Sequence, residues 1–299
     1  MTPSYLELYK SGKLEKIKES LVAQLENCNL CPRNCGVNRL KGELGFCKTG
    51  RNTMVSSYSL HFGEEPPLVG SGGSGTIFFT WCNLGCIYCQ NFTISHLGEG
   101  VEVEPSKLAD IMLSLQGRGA HNINFVTPTH VIAQITEALI LAVERGLKLP
   151  LVYNSGGYDK FTTLKEVDGV FDIYMPDAKY SDEGHSSKYS RAEDYWHACR
   201  EALLEMHRQV GDLVMNKKGI AEKGVLIRHL VLPNRLSGSF VVLDFIVEKI
   251  SKDSYVNIME QYHPCFQAYK YEELSRSITL VEFKEALDYA QKIGLHRGF

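Results

Sequence analysis

The sequence has no apolar run long enough to cross a bilayer; even Thr136–Val143 is soon followed by Glu144 and Arg145. Its opening, Met1–Lys10, lacks the basic-then-apolar order of a secretion signal, so a cytoplasmic protein is expected. An excess of positive charge is missing too. The 32 Lys and Arg against 35 Asp and Glu give a net charge of −3, which argues against nucleic acid or a membrane surface as a general partner. No low-complexity segment or short-period repeat interrupts the chain. What remains is ordinary for a globular protein: 299 residues, 44% hydrophobic and 22% charged, enough for one large α/β domain or one with a small appendage.

The nine cysteines are the unusual feature, because a reducing compartment does not keep disulfides. Seven fall into two tight groups, Cys28, Cys31, Cys35 and Cys47, then Cys82, Cys86 and Cys89. Soft thiolates clustered in this way favour zinc or iron–sulfur centres. Cys199 and Cys265 stand alone. Three thiolates within eight residues hold three irons of a cubane and leave the fourth open, whereas a zinc site would need a remote fourth ligand.

Along the chain, apolar spacing in Tyr5–Glu26 predicts one or two helices ahead of the first cysteine group. Gly63–Gly75 reads as a linker. From Thr76 the pattern alternates strand and helix. The strands are expected at Thr76–Trp81, Ile123–Val126, Leu149–Tyr153, Phe171–Met175, Val225–Leu232 and Tyr255–Met259. Helices are expected at Pro105–Gln116, Val131–Arg145, Thr162–Val167, Ala192–Val210, Phe240–Ile250 and Val281–Ile293. Six such units predict an α/β fold, a partial (β/α)6 barrel of parallel strands, residues 56–299. It is preceded by a small cysteine-rich helical module, residues 1–55. Polar residues sit just past the strand ends, where barrels of parallel strands build their sites: Cys82, Thr127, Asn154, Asp177, Asn234 and Gln261.

The spacing CxxxCxxC after the first strand, with Tyr88 before its last cysteine, resembles the signature of the radical S-adenosylmethionine superfamily. Gln90-Asn91 continues it as in the pyruvate formate-lyase activating enzyme branch. CNLCPRNCGVNR, GEEPP, NINFVTPTH, LPLVYNSGGYD, DIYMPDAKY and MEQYHPC resemble poorly characterised homologues of that enzyme with an N-terminal CxxCPRxC motif. The resemblance implies a 4Fe–4S cluster on Cys82, Cys86 and Cys89 whose open iron binds the amino and carboxylate groups of S-adenosylmethionine. One electron then splits the cofactor into methionine and a 5′-deoxyadenosyl radical that abstracts hydrogen from a substrate. It also implies an electron donor of flavodoxin or ferredoxin type and a protein, peptide or small-molecule substrate. Activation of a glycyl-radical enzyme is a narrower version. A different class, a non-catalytic metal-binding or redox-sensing protein, is the alternative.

The same resemblance nominates the cofactor contacts. Tyr88 and Gln90 flank the last cysteine. The family's Gly-Gly-Glu after the second strand is replaced by Thr127-Pro128-Thr129-His130, whose hydroxyls and backbone are candidates for the same task. Asn154-Ser155-Gly156-Gly157 resembles a polar turn near the ribose or methionyl part, with a plain turn as the alternative. Asp177-Ala178-Lys179 resembles the activating enzymes' Asp-x-Lys, a clamp for a zwitterion or else a solvated surface pair. Of Arg228 and His229, adjacent in a strand, one must face inward and the other outward.

Cys28-x2-Cys31-x3-Cys35-x11-Cys47 supplies four ligands, enough for a zinc knuckle or for a second 4Fe–4S cluster. Its segment has little apolar content, so bound metal is expected to supply much of its order. The two cysteine groups are expected to be independent modules.

Overall fold

Leu14, Leu21 and Leu25 share one helical face and are wholly buried. That stripe explains the helix Lys13–Ala23, which follows a shorter helix, Tyr5–Lys10, and lies on the helix Ile132–Glu144. In the computed structural model, which describes residues 2–299, nine strands follow. They are β1 (Thr53–His61), β2 (Ser74–Phe79), β3 (Val101–Val103), β4 (Ile123–Val126) and β5 (Leu151–Ser155). After them come β6 (Ile173–Pro176), β7 (Val214–Met215), β8 (Ala221–Leu230) and β9 (Tyr255–Met259).

Six strands, in the order β2-β4-β5-β6-β8-β9, are parallel neighbours. They are the six expected from the sequence. Helices connect them, among them Pro105–Gly117, Ile132–Glu144, Phe161–Glu166, Tyr195–Val210 and Ser239–Phe245, and Leu280–Ile293 follows the last strand. The sheet does not close on itself: its path ends at β3 on one side, and β9 pairs only β8 on the other. The partial barrel is therefore open.

Three features differ from the expectation. β1 pairs antiparallel with β2 and β3 with β1, covering the edge of the parallel set. The Ser-rich, half-exposed β1 carries no buried apolar run to announce it. The expected boundary at 55/56 falls inside β1, and Tyr5, Leu14, Leu21 and Leu25 belong to the same hydrophobic core as the sheet's outer face. The segment read as a linker is tightly packed instead. A Cβ at Gly75 would lie 2.5 Å from the Asn122 carbonyl oxygen, so only glycine fits where β2 begins.

Strand alternation divides the sheet into two faces. Phe125, Tyr153, Tyr174 and Ile227 point to the helices. Val152, Ile173 and Leu226 point inward and pack with Leu68 as a second, smaller core inside the barrel. Two residues further along β5 and β8, on that same inner face, come Asn154 and Arg228. The interior thus changes from apolar to polar towards the strands' carboxyl ends.

Candidate active site

The triplet loop is held from several sides. At the exit of β2, Trp81 takes a left-handed φ of 68° and its N–H donates to the Ile94 carbonyl at 2.9 Å. The N–H groups of Gly85 and Ile87 donate to the carbonyls of Ser190 and Tyr189, each at 2.9 Å. Gln267 N–H donates to the Ile87 carbonyl at 2.9 Å, bringing the loop after β9 against it. Thr127, at the exit of β4, also has a left-handed φ, 63°. Such angles in non-glycine residues are costly and tend to gather where function fixes the backbone.

Cys82, Cys86 and Cys89 all face a cleft of about 670 Å³, together with Thr127, Asn154, Ser155, Asp177, Lys179 and Arg228. A second lobe of about 760 Å³ shares Cys86, Cys89, Asp177, Lys179 and Arg228, and adds Tyr88, Gln90, Met259, Gln261 and Tyr262.

Each thiol has a polar neighbour. Leu84 N–H donates to Cys82 Sγ at 3.3 Å, Ser190 Oγ–H donates to Cys86 Sγ at 3.0 Å, and Cys89 Sγ lies 3.2 Å from Ser95 Oγ. Burial pushes the Cys82 thiol up to about 12, with its thiol neighbours adding to the effect. Burial raises Cys86 as well, against the pull of Lys179. Buried thiols that repel one another as anions become a thiolate set when a cationic centre sits among them. Among the described residues no three His, Cys, Asp or Glu side chains converge where one ion would sit. The three thiols line one wall of the cleft. The set fits a 4Fe–4S cluster with one open iron.

Asp177 is the centre of the charge network. Its carboxylate accepts from Lys179 Nζ at 2.5 Å and from Arg228 Nε at 2.7 Å. Arg228 also donates to Asn154 Oδ1 at 2.9 Å and lies 3.4 Å from Glu64 Oε1. Burial pushes the Asp177 carboxyl up, but Arg228 and Lys179 outweigh it and hold it below the usual range. The pair is not the solvated one considered from sequence, since both side chains are largely buried. Each oxygen of Asp177 accepts from one cation, while Lys179 has a single carboxylate partner, and both residues line the two lobes.

Other nominated contacts divide. Thr127 and Asn154 line the cleft. Thr129 does not: its Oγ1 donates to buried Asp159 at 2.7 Å. Ser155 borders the cleft, yet its hydroxyl also serves Asp159, at 2.5 Å, beside Tyr153 OH at 2.8 Å. Gly156-Gly157 is more than a turn. At Gly157, φ is 75° and a Cβ would fall 2.0 Å from the Asp177 carbonyl, so glycine lets the β5 exit touch the β6 exit. Tyr88 OH accepts from Tyr180 OH at 2.6 Å, and Gln90 Nε2 donates to the Gln261 carbonyl at 3.1 Å. His229 faces the helices, bonded to the Ala178 carbonyl and Ser239, and Arg228 faces inward.

Sequence reasoning assigned no chemistry to Glu64 or Asp159, although both lie in quoted motifs, GEEPP and LPLVYNSGGYD. Ser95 and Ser190 gave no signal, since only folding brings them to the thiols.

The first cysteine group surrounds a separate pocket of about 340 Å³, lined by Cys28, Cys31, Cys35 and Cys47 with Arg33, Arg39 and His130. His130 therefore sits away from the cleft. Arg33 Nε donates to the Asn83 carbonyl at 2.9 Å, inside the triplet loop, and Arg39 Nη1 donates to the His130 carbonyl at 2.9 Å. Arg33 thus bonds the first cysteine group to the triplet loop.

No model of a known protein family matches the chain. It is 30% identical over 300 residues to the uncharacterized protein MJ0674 of Methanocaldococcus jannaschii, covering 97% of this chain and 82% of that one. The chain belongs to the family of MJ0674. The uncharacterized protein MJ0808 of the same organism is 22% identical over 273 residues, 85% of this chain and 74% of its own. Among solved structures, the chain is similar to methylornithine synthase (PylB), with 13% identity and a TM-score of 0.47 over 72% of this chain and 62% of that one. It is also similar to native anSMEcpe with bound AdoMet, with 12% identity and a TM-score of 0.47 over 76% of this chain and 58% of that one. HydG, a maturase of the [FeFe]-hydrogenase, gives 11% identity and a TM-score of 0.47 over 74% and 49%. The chain thus spans about half to three-fifths of the length of these three structures. Among the described residues, no helix is long and apolar enough to cross a membrane.

Proposed function

We propose that this protein is a radical S-adenosylmethionine enzyme. The observation that carries the reading is the meeting of Cys82, Cys86 and Cys89 with Lys179 and Arg228 on one cavity at the carboxyl ends of parallel strands. Cys82, Cys86 and Cys89 would hold a 4Fe–4S cluster. When bound, that group supplies the single electron that splits S-adenosylmethionine into methionine and a 5′-deoxyadenosyl radical.

The chain's own residues bind and orient. Lys179 offers its ammonium to the methionyl carboxylate, and Asp177 and Arg228 fix the position of Lys179. The backbone at Thr127 and the side chain of Asn154 border the same lobe. Phe79, Trp81, Leu84 and Ile94 give that lobe an apolar wall that excludes water. The second lobe, with Tyr88, Gln90, Gln261 and Tyr262, is placed to receive the substrate from which hydrogen is taken.

The substrate class in this reading is a protein, peptide or small molecule, and the reductant is a low-potential carrier of flavodoxin or ferredoxin type. Activation of a glycyl-radical enzyme is its narrower form, in which a partner's loop would enter at the open side of the barrel. Cys28, Cys31, Cys35 and Cys47 hold a second metal centre, a cluster or zinc. Electron paramagnetic resonance tests the reading. The reduced, reconstituted protein should show a cluster signal that changes when S-adenosylmethionine is added, and Cys86→Ala should lose that signal. A wild-type signal indifferent to the cofactor contradicts the proposal.

A further inference from the structure

The pocket of the first cysteine group carries more information than its four ligands. Every thiol has a donor aimed at its sulfur or a cation beside it. Arg39 Nη1 lies 3.8 Å from Cys28 Sγ, and Phe46 N–H donates to Cys35 Sγ at 3.5 Å. Backbone N–H groups of Arg33 and Thr49 serve Cys31 and Cys47. Beyond these, Arg33 Nη2 and Arg39 Nη2 are buried with no hydrogen-bond partner, although both arginines line the pocket. Each guanidinium is otherwise bonded, so one buried N–H-bearing nitrogen per arginine is left over, a cost that an anion with its own acceptors in the pocket would relieve. A zinc ion held by four thiolates would draw all four sulfurs to about 2.3 Å from one point and offer no acceptor beyond them. A cubane core separates the thiolates and presents sulfide acceptors to the pocket wall.

We propose that Cys28, Cys31, Cys35 and Cys47 hold a second iron–sulfur cluster, capped by Arg33 and Arg39, which relays single electrons to the triplet. Arg33 is the bridge: it lines the pocket, and its Nε is bonded to the Asn83 carbonyl, next to Cys82. Its guanidinium also lies 3.7 Å over the Phe46 ring. Cys35, the least buried of the four ligands, turns one edge of the centre towards solvent. A one-electron donor of flavodoxin or ferredoxin type is oxidised there by one electron. The N-terminal cluster is reduced and then reoxidised as the electron moves on to the triplet's centre; no bond forms and no proton moves. The relay rests on the cluster proposed for the triplet, whereas the identity of the N-terminal metal does not.

The test is metal analysis of the anaerobically reconstituted full chain, joined to a redox titration followed by electron paramagnetic resonance. Two cubanes predict about eight irons per chain, no stoichiometric zinc and two reduction steps. They also predict mutual broadening of the two signals when both clusters are reduced. Arg39→Gln should move the N-terminal step alone to lower potential, because a cation beside an anionic cluster favours its reduced form. In Arg33→Ala, reduction of the triplet's cluster by a protein donor should slow while both clusters remain. About four irons and one zinc, with 5′-deoxyadenosine still formed, overturns this inference and leaves the proposed function standing. Two clusters without magnetic interaction, or unchanged reduction in Arg33→Ala, overturns the relay. Iron at the N-terminal group alone overturns the proposed function instead.

Discussion

At the scale of residues, the site separates groups that touch ligand from groups that position them. Lys179 and Asp177 are two residues apart and have different tasks. Lys179→Ala removes a charge-assisted contact of about 1.5–3 kcal/mol, so S-adenosylmethionine affinity should fall about tenfold or more in isothermal titration. Fold stability should change less, because Asp177 keeps Arg228. Asp177→Ala strands two buried cations, and removing one partner of such a network costs about 3–5 kcal/mol. That loss should appear as a lower denaturant midpoint. Equal effects of the two variants on stability would contradict this division. Ser155→Ala tests the opposite case. Its hydroxyl serves Asp159, so stability should fall by about 1–3 kcal/mol while cofactor affinity stays the same. A marked loss of affinity would return Ser155 to the contact role suggested by its motif.

At the scale of elements, the N-terminal region has two halves with different sources of order. The helix Lys13–Ala23 buries Leu14 and Leu21 completely, in the core shared with the barrel. Leu21→Ala should therefore cost about 2–5 kcal/mol whether or not metal is present. Residues 28–50 form only one short 3-10 turn, Arg39–Lys41, and surround the cysteine pocket. Removing metal should raise amide hydrogen exchange across 28–50 and leave 13–23 protected. Loss of protection in both halves would show that metal orders the whole region.

These elements also show what the sequence could reveal. All six parallel strands were legible because each is a short apolar run between turn signals, followed by a helical period. β1 was not, since Thr53–His61 alternates too weakly to stand out and is stabilised by pairing with β2. In the site, the grouping of Cys82, Cys86 and Cys89 was legible from spacing, and strand alternation required Arg228 and His229 to face opposite ways without saying which faces inward. The commitment of Thr129 and Ser155 to Asp159 was hidden, because it depends on the exits of β4 and β5 meeting. The link from Arg33 to Asn83 was hidden for the same reason, the two residues being 50 positions apart.

At the scale of the whole molecule, one end of an open parallel barrel gathers thiols, cations and an apolar wall, while its lower interior is closed by Leu68, Val152, Ile173 and Leu226. The N-terminal region packs on the same barrel and reaches the triplet loop through Arg33. All of this serves a single chemical claim, which product analysis tests most directly. The anaerobically reconstituted protein is incubated with S-adenosylmethionine and a strong one-electron reductant, and the mixture is analysed by mass spectrometry. The account predicts reductant-dependent 5′-deoxyadenosine and methionine from the wild type, and none from Cys82→Ala, Cys86→Ala or Cys89→Ala. Absence of 5′-deoxyadenosine from a wild type with its cluster intact, or its undiminished formation by the cysteine variants, would contradict it.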